Sequence, residues 1–285
     1  MRQVLGFGLL SSLLLATLAS ADAHQNGDDI PRPEPVPEIR HGILQGYLAR
    51  EDYPDSLAML PPPPAQGSAA EAADAAISKR LLELQDSARF ELAALDNDLS
   101  FPNAAGTFSC ALGVPISEAE TPFLYQLLRR SLADAGLATY AAKNHYGRAR
   151  PFTVNEGSNC AADREQEMLR GDPSYPSGHT AIGWAWALIL TSLAPERANE
   201  ILARGMAYGE SRAFCNVHWP SDVAAGRTVG AAAVAVLNGN EAFRGDLAEA
   251  RRELAAIRAS GAAPSRDCEM EQRAMAVRLF SRPAE

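Results

Sequence analysis

The chain has 285 residues, 47% hydrophobic and 21% charged, enough for one large domain or two small ones with a substantial core. Its formal net charge of −9 gives no electrostatic support to a nucleic-acid or anionic-membrane partner. An anionic substrate would therefore need a local cluster of basic side chains.

Arg2 precedes an apolar run, Val4 to Leu18, and then the small residues around Ala19–Ala23. A charged start, a short hydrophobic stretch and an A-x-A exit describe a secretory signal over residues 1–23, cleaved after Ala21 or Ala23. The run is shorter than the ~20 residues a membrane span needs. The mature chain is thus expected in an oxidising compartment. Cys110, Cys160, Cys215 and Cys268 form an even set whose spacing fits no zinc pattern, so disulfides are expected, with three pairings open.

Residues 24–64 carry nine of the 19 prolines, ending in Pro61–Pro64. Proline fixes φ and removes a backbone donor, which predicts an extended, irregular leader, either disordered or lying along the domain. From Ser68 onward the pattern is helical, with Leu81, Leu82, Leu84, Phe90, Leu92 and Leu95 at three- and four-residue steps. Similar patterns cover Thr121–Ala142, Ser177–Leu193, Pro195–Ser211, Ser221–Leu237 and Glu241–Ala259, while strand signals are nearly absent. The expected fold is all-α: a single-domain helical bundle over 65–259 around a central apolar helix at about 177–194. A tail at 260–285 adds a short helix near Cys268–Phe280. The central helix, with Trp184, Trp186, Leu188, Ile189 and Leu190, is apolar all round, yet its helical neighbours are charged, so it reads as core rather than as a membrane span.

Three clusters carry chemistry. The first runs from Lys143 through Arg150 to Pro151. The second is Tyr175-Pro176-Ser177-Gly178-His179, and the third runs from Ser211-Arg212 through His218 to Asp222. Lys143, Arg150 and Arg212 supply three positive charges, and an arginine fork matches phosphate oxygens. Ser177 suits an N-cap and Gly178 leaves room, so the first amides of the central helix can face an anion. Pro220 suits the first position of the next helix, placing His218 just before it and Asp222 in its first turn. Asp222 can then hold Nδ1–H of His218 and leave Nε2 free to attack phosphorus, with His179 opposite as proton donor. No metal-ligand set has the right spacing, and no cofactor is implied. His145 reads as structural or rim-lining, and Trp184, Trp186 and Trp219 as core.

These clusters match the tripartite signature K-x6-R-P, P-S-G-H and S-R-x5-H-x3-D of the type 2 phosphatidic acid phosphatase and vanadium haloperoxidase superfamily. Leu60–Pro64 with Gly67-Ser68, Asp134–Thr139 and Ser174–Trp184 further resemble the bacterial class A non-specific acid phosphatases, over roughly residues 50–258. The resemblance implies a helical periplasmic enzyme that self-associates, acts on small phosphorylated substrates of broad range and transfers phosphate to alcohols. It implies His218 as nucleophile, Asp222 as its orienting partner, His179 as general acid, and Lys143, Arg150, Ser177, Gly178 and Arg212 as phosphate ligands. It favours Cys160–Cys215 as one disulfide, leaving Cys110–Cys268 as the other. Glu210, where glutamine is expected, Cys110, Cys268 and the longer tail depart from the pattern. A vanadium-dependent haloperoxidase, a membrane lipid phosphatase and a non-enzymatic phosphate-binding module are the competing readings.

Overall fold

The computed structural model of the protein describes residue 1, residues 31–264 and residues 266–279. The signal segment expected at 1–23 falls, apart from Met1, outside them. In the leader, β1 (Glu38–Arg40) pairs antiparallel with β2 (Ile43–Leu44), and a helical turn α1 (Ser56–Met59) follows. The segment read as extended and irregular therefore includes a hairpin, and it is tied to the helical body. The amides of Tyr47 and Leu48 each donate to the buried Asp134 carboxylate at 3.0 Å. Gly46 permits this approach, because a Cβ there would overlap Asp134 Oδ1. Burial pushes Asp134 up to about 6, against the pull of those two hydrogen bonds.

The next helices are α2 (Ala69–Leu82), N-capped by Ser68, α3 (Ala88–Leu95), N-capped by Ser87, and the single turns α4 (Asn103–Gly106) and α5 (Ser109–Leu112). The run expected as one helix over Thr121–Ala142 is two: α6 (Pro122–Leu137) and α7 (Tyr140–Tyr146). The break lies at Thr139, whose hydroxyl donates to Gly136 O at 2.6 Å while its own amide takes the same carbonyl at 3.3 Å. A threonine that bonds the preceding turn competes with the helical ladder. The break gives Lys143 its own short helix and direction. Two short helices follow, α8 (Pro151–Asn155) and α9 (Asp163–Gly171).

The helix α10 (Gly178–Leu193) lies among α6, α11 (Ala198–Phe214) and α12 (Pro220–Leu237), with ten of its 16 residues buried. Trp186 is fully buried there, its Nε1–H donating to Leu128 O at 3.0 Å. The helix α12 approaches so closely that a Cβ at Gly230 would collide with the Ala181 carbonyl. The helix α13 (Glu241–Ala259) covers α6. Among the described residues no helix is long and apolar enough to cross a membrane.

The unfamiliar features of the sequence form one device. The tail carries α14 (Cys268–Met275), bound to the body by the disulfide Cys110–Cys268, by Glu271 at 3.2 Å from Arg204, and by Leu279, whose amide reaches Glu210 at 3.4 Å. Glu210 thus faces the tail. The second disulfide is Cys160–Cys215, which anchors the loop before α9 beneath the end of α11.

Candidate active site

The three clusters converge because each sits at a helix end. The first turn of α10 follows Ser177, whose Oγ accepts the Thr180 amide at 3.3 Å and the Thr180 hydroxyl at 2.9 Å. Arg212 lies in the last turn of α11; the chain then reverses through Asn216, at φ 60°, so that the His218 amide bonds back to Arg212 O at 3.2 Å. Pro220 opens α12, and Asp222, at its third position, accepts the Trp219 amide at 2.8 Å.

Lys143, Arg150, Gly178, His179, Arg212 and His218 line one cavity of about 440 Å³. Ser177 and Asp222 do not line it; both are fully buried and stand behind Gly178 and His218. A Cβ on Gly178 would meet nothing nearer than Thr139 Oγ1 at 3.7 Å, so protein packing leaves that side of the helix start open. The six residues bring three cationic side chains, two imidazoles and a helix N-terminus to one wall, which is an anion site in physical terms.

The protonation pattern of His218 follows from its neighbours. Nε2 lies 3.0 Å from Arg150 Nη1. A guanidinium nitrogen only donates, so Nε2 holds the lone pair and the proton sits on Nδ1. Nδ1 faces Asp222 Oδ2 at 3.4 Å. Burial lowers the pKa of His218 well below the ordinary histidine value, and Arg150, Lys143 and Arg212 lower it further. The imidazole is neutral, with its lone pair turned to the cations.

His179 is partly exposed to the cavity, and its Nε2 lies 3.0 Å from Asn97 O. A carbonyl only accepts, so this nitrogen carries a proton in either charge state. Burial and then Arg212 lower the pKa well below the ordinary value, opposed by the bond to Asn97.

The cations differ in how fully they are committed. Arg150 donates to Val217 O at 3.0 Å, Asp172 O at 2.8 Å and the Asp172 carboxylate at 2.5 Å. Lys143, pushed down to about 8 chiefly by burial, reaches Asp172 Oδ2 at 3.2 Å and also donates to Pro173 O. Among the described residues Arg212 donates once, from Nη1 to Asn97 Oδ1 at 2.5 Å, while its buried Nε and Nη2 have no partner there. Burial lowers its pKa to about 10. A guanidinium with two buried donors unmet stands ready for an anion.

Sequence reasoning missed several residues here. Arg148, inside the first cluster, turns away from the cavity: Nη1 bonds Asp222 Oδ1 at 2.6 Å and Nη2 bonds Asp74 at 2.8 Å. The carboxylate behind His218 is therefore itself clamped. Asp172 bridges Lys143 and Arg150, and Asn97 joins Arg212 to His179. The arginine was visible within its cluster; nothing local marked Asn97. His145 is exposed and packs edge-on against Tyr146, away from the cavity. Among the described residues no three His, Cys, Asp or Glu side chains are grouped to hold a metal ion.

Residues 127–242 match the PAP2 superfamily. A non-specific acid phosphatase of Providencia stuartii is 44% identical over 74% of this chain and 86% of its own length. An acid phosphatase of Zymomonas mobilis is 39% identical over 78% and 84% of the two chains. A non-specific acid phosphatase of Salmonella typhimurium is 40% identical over 74% and 84%. The chain belongs to this family of bacterial non-specific acid phosphatases, in the PAP2 superfamily. The family match spans all three clusters, from Lys143 to Asp222.

Proposed function

We propose that the protein is a periplasmic or secreted acid phosphatase that cleaves small phosphomonoesters through a phosphohistidine on His218. The observation that carries this reading is the 3.0 Å contact from Arg150 Nη1 to His218 Nε2, which presents an unprotonated nitrogen beside the cationic wall.

The steps follow from the named atoms. An incoming phosphoryl group takes over the donors of Arg150, Lys143 and Arg212 and the first amides of α10, and its oxygens displace Arg150 from Nε2. The Nε2 lone pair attacks phosphorus. The N–P bond forms as the ester P–O bond breaks, and the departing oxygen takes a proton from protonated His179. Asp222 stabilises the positive ring by accepting from Nδ1–H. Water then attacks phosphorus, gives its proton to neutral His179 and releases phosphate and free His218. An alcohol in place of that water yields a new ester. The charge that develops on the phosphoryl oxygens meets three preorganised cations, the kind of stabilisation that dominates such reactions.

Hydrolysis of p-nitrophenyl phosphate by the purified mature chain, before and after dialysis against a chelator, tests the reading. Full activity after dialysis, with inhibition by vanadate, is the expected result. Activity restored only by a divalent ion contradicts the roles given to the cations, and bromide oxidation after vanadate loading without ester hydrolysis contradicts the reaction class.

A further inference from the structure

We propose that the mouth of the cavity is a subsite for an apolar leaving group, and that it directs the enzyme to phosphomonoesters of apolar alcohols in preference to sugar or glycerol phosphates. This inference rests on the phosphatase reading and extends it from the phosphoryl group to the remainder of the substrate.

The cavity is graded from charge to carbon. At its base the side chains of Lys143, Arg150, Arg212 and His218 are each no more than 3% exposed. At its rim stand Ile39, Leu137, Tyr140 and Met168, which are 52%, 37%, 43% and 62% exposed. Ten large apolar side chains are this open among the described residues, and four of them line this one cavity, beside Arg40 and Glu165. A contiguous exposed apolar patch next to a polar site marks a ligand surface.

The four come from different parts of the chain, so no single amphipathic element produces the collar. Ile39 lies in β1 of the leader, between Glu38 and Arg40. Leu137 ends α6 and Tyr140 begins α7, on either side of the break at Thr139. Met168 belongs to α9, a helix of sequence DREQEMLRG whose two apolar side chains, Met168 and Leu169, both turn to the cavity. The leader is held in place by the Asp134 bonds to Tyr47 and Leu48, so β1 forms a fixed wall.

Charge and volume agree with one occupant. The three cations at the base fix a phosphate there, and about 440 Å³ is within the range of small-molecule sites. What extends outward from phosphate then meets carbon. Against Ile39, Leu137 and Met168 the hydroxyls of a sugar or glycerol moiety would lose bonds to water that only Arg40 and Glu165 of the same lining could replace, whereas an alkyl chain would gain burial.

The experiment compares hexyl phosphate with glycerol 3-phosphate, two alkyl esters whose leaving oxygens are alike, in the full mature enzyme. The variants are Ile39→Ser and Met168→Ser, both at exposed positions, singly and together. The wild type is expected to favour hexyl phosphate in kcat/KM. The double variant is expected to lose about tenfold or more on that ester, to keep its rate on glycerol 3-phosphate and to retain its inhibition constant for inorganic phosphate. Equal kcat/KM for the two esters in the wild type, or equal losses on both in the variants, overturns the subsite while leaving the phosphatase reading intact. Hydrolysis of neither ester by the wild type overturns both.

Discussion

Two arginines on α11, Arg204 and Arg212, are both fully buried and differ in almost everything else. Arg204 is complete. It forms a two-pronged pair with Asp96, donates to Thr107 O at 3.1 Å and lies 3.2 Å from Glu271 of the tail, and these carboxylates raise its pKa despite burial. Arg212, two turns further on, has one hydrogen bond, two orphaned donors and a lowered pKa. A buried charge left unmet is costly, and such a cost persists where a ligand completes the group. One arginine holds the body and tail together; the other, on the function proposed above, receives a phosphate.

Removing each arginine breaks the comparison most sharply. Arg204→Met leaves Asp96 and Glu271 buried without their cation, and chemical denaturation should show a loss of about 3–5 kcal/mol. The fraction that remains folded should keep its kcat. Arg212→Met removes an unmet charge, so stability should hold or rise, while kcat/KM should fall about 10²- to 10³-fold. Loss of stability in both variants, with equal effects on activity, would erase the distinction.

Inorganic phosphate sharpens it. Binding only the folded state at about 100 times its Kd should add about 2.7 kcal/mol to stability. The accompanying rise in Tm should persist in the folded fraction of Arg204→Met and nearly vanish in Arg212→Met. An undiminished rise in Arg212→Met would place the anion elsewhere.

The smallest effect is in the pH profile. His179 and His218 both have lowered pKa values in the free protein, and Arg212 contributes to both shifts. The proposed reaction needs His179 protonated, so kcat/KM should decline with rising pH, beginning below the ordinary histidine value of ~6.5. A bound dianion offsets the cations and raises both values, so the decline in kcat should come at higher pH. Arg212→Met removes one lowering charge and should move the kcat/KM decline upward. An unmoved decline in that variant, measured on p-nitrophenyl phosphate, would separate Arg212 from His179.

The parts legible in the sequence are those whose geometry is local. Ser177 as an N-cap, Pro220 as a first helical residue and Asp222 in the following turn each fix a backbone direction within a few residues. Each of the three clusters is ordinary when read alone; taken together they imply an anion site. The remainder depends on contacts distant in sequence. Asn97 ends up between Arg212 and His179 because of how the chain beyond α3 packs against α11, and no local pattern records that. Arg148 and Arg150 are two residues apart, yet one turns to Asp222 and the other to the cavity. The break at Thr139 was hidden because hydrophobic periodicity continues across it, and the leader's wall was hidden because proline content says nothing of what an extended segment will touch.

The central claim is that Nε2 of His218 becomes covalently phosphorylated. Rapid mixing with p-nitrophenyl phosphate, quenched in alkali because the N–P bond is labile to acid, followed by peptide mapping, tests it directly. The account predicts a phosphorylated peptide that contains His218, formed within the first turnover and absent from His218→Ala, which should also lose nearly all turnover. A phosphoryl group trapped on another residue, or a His218→Ala variant that still forms the phosphoenzyme, would contradict it.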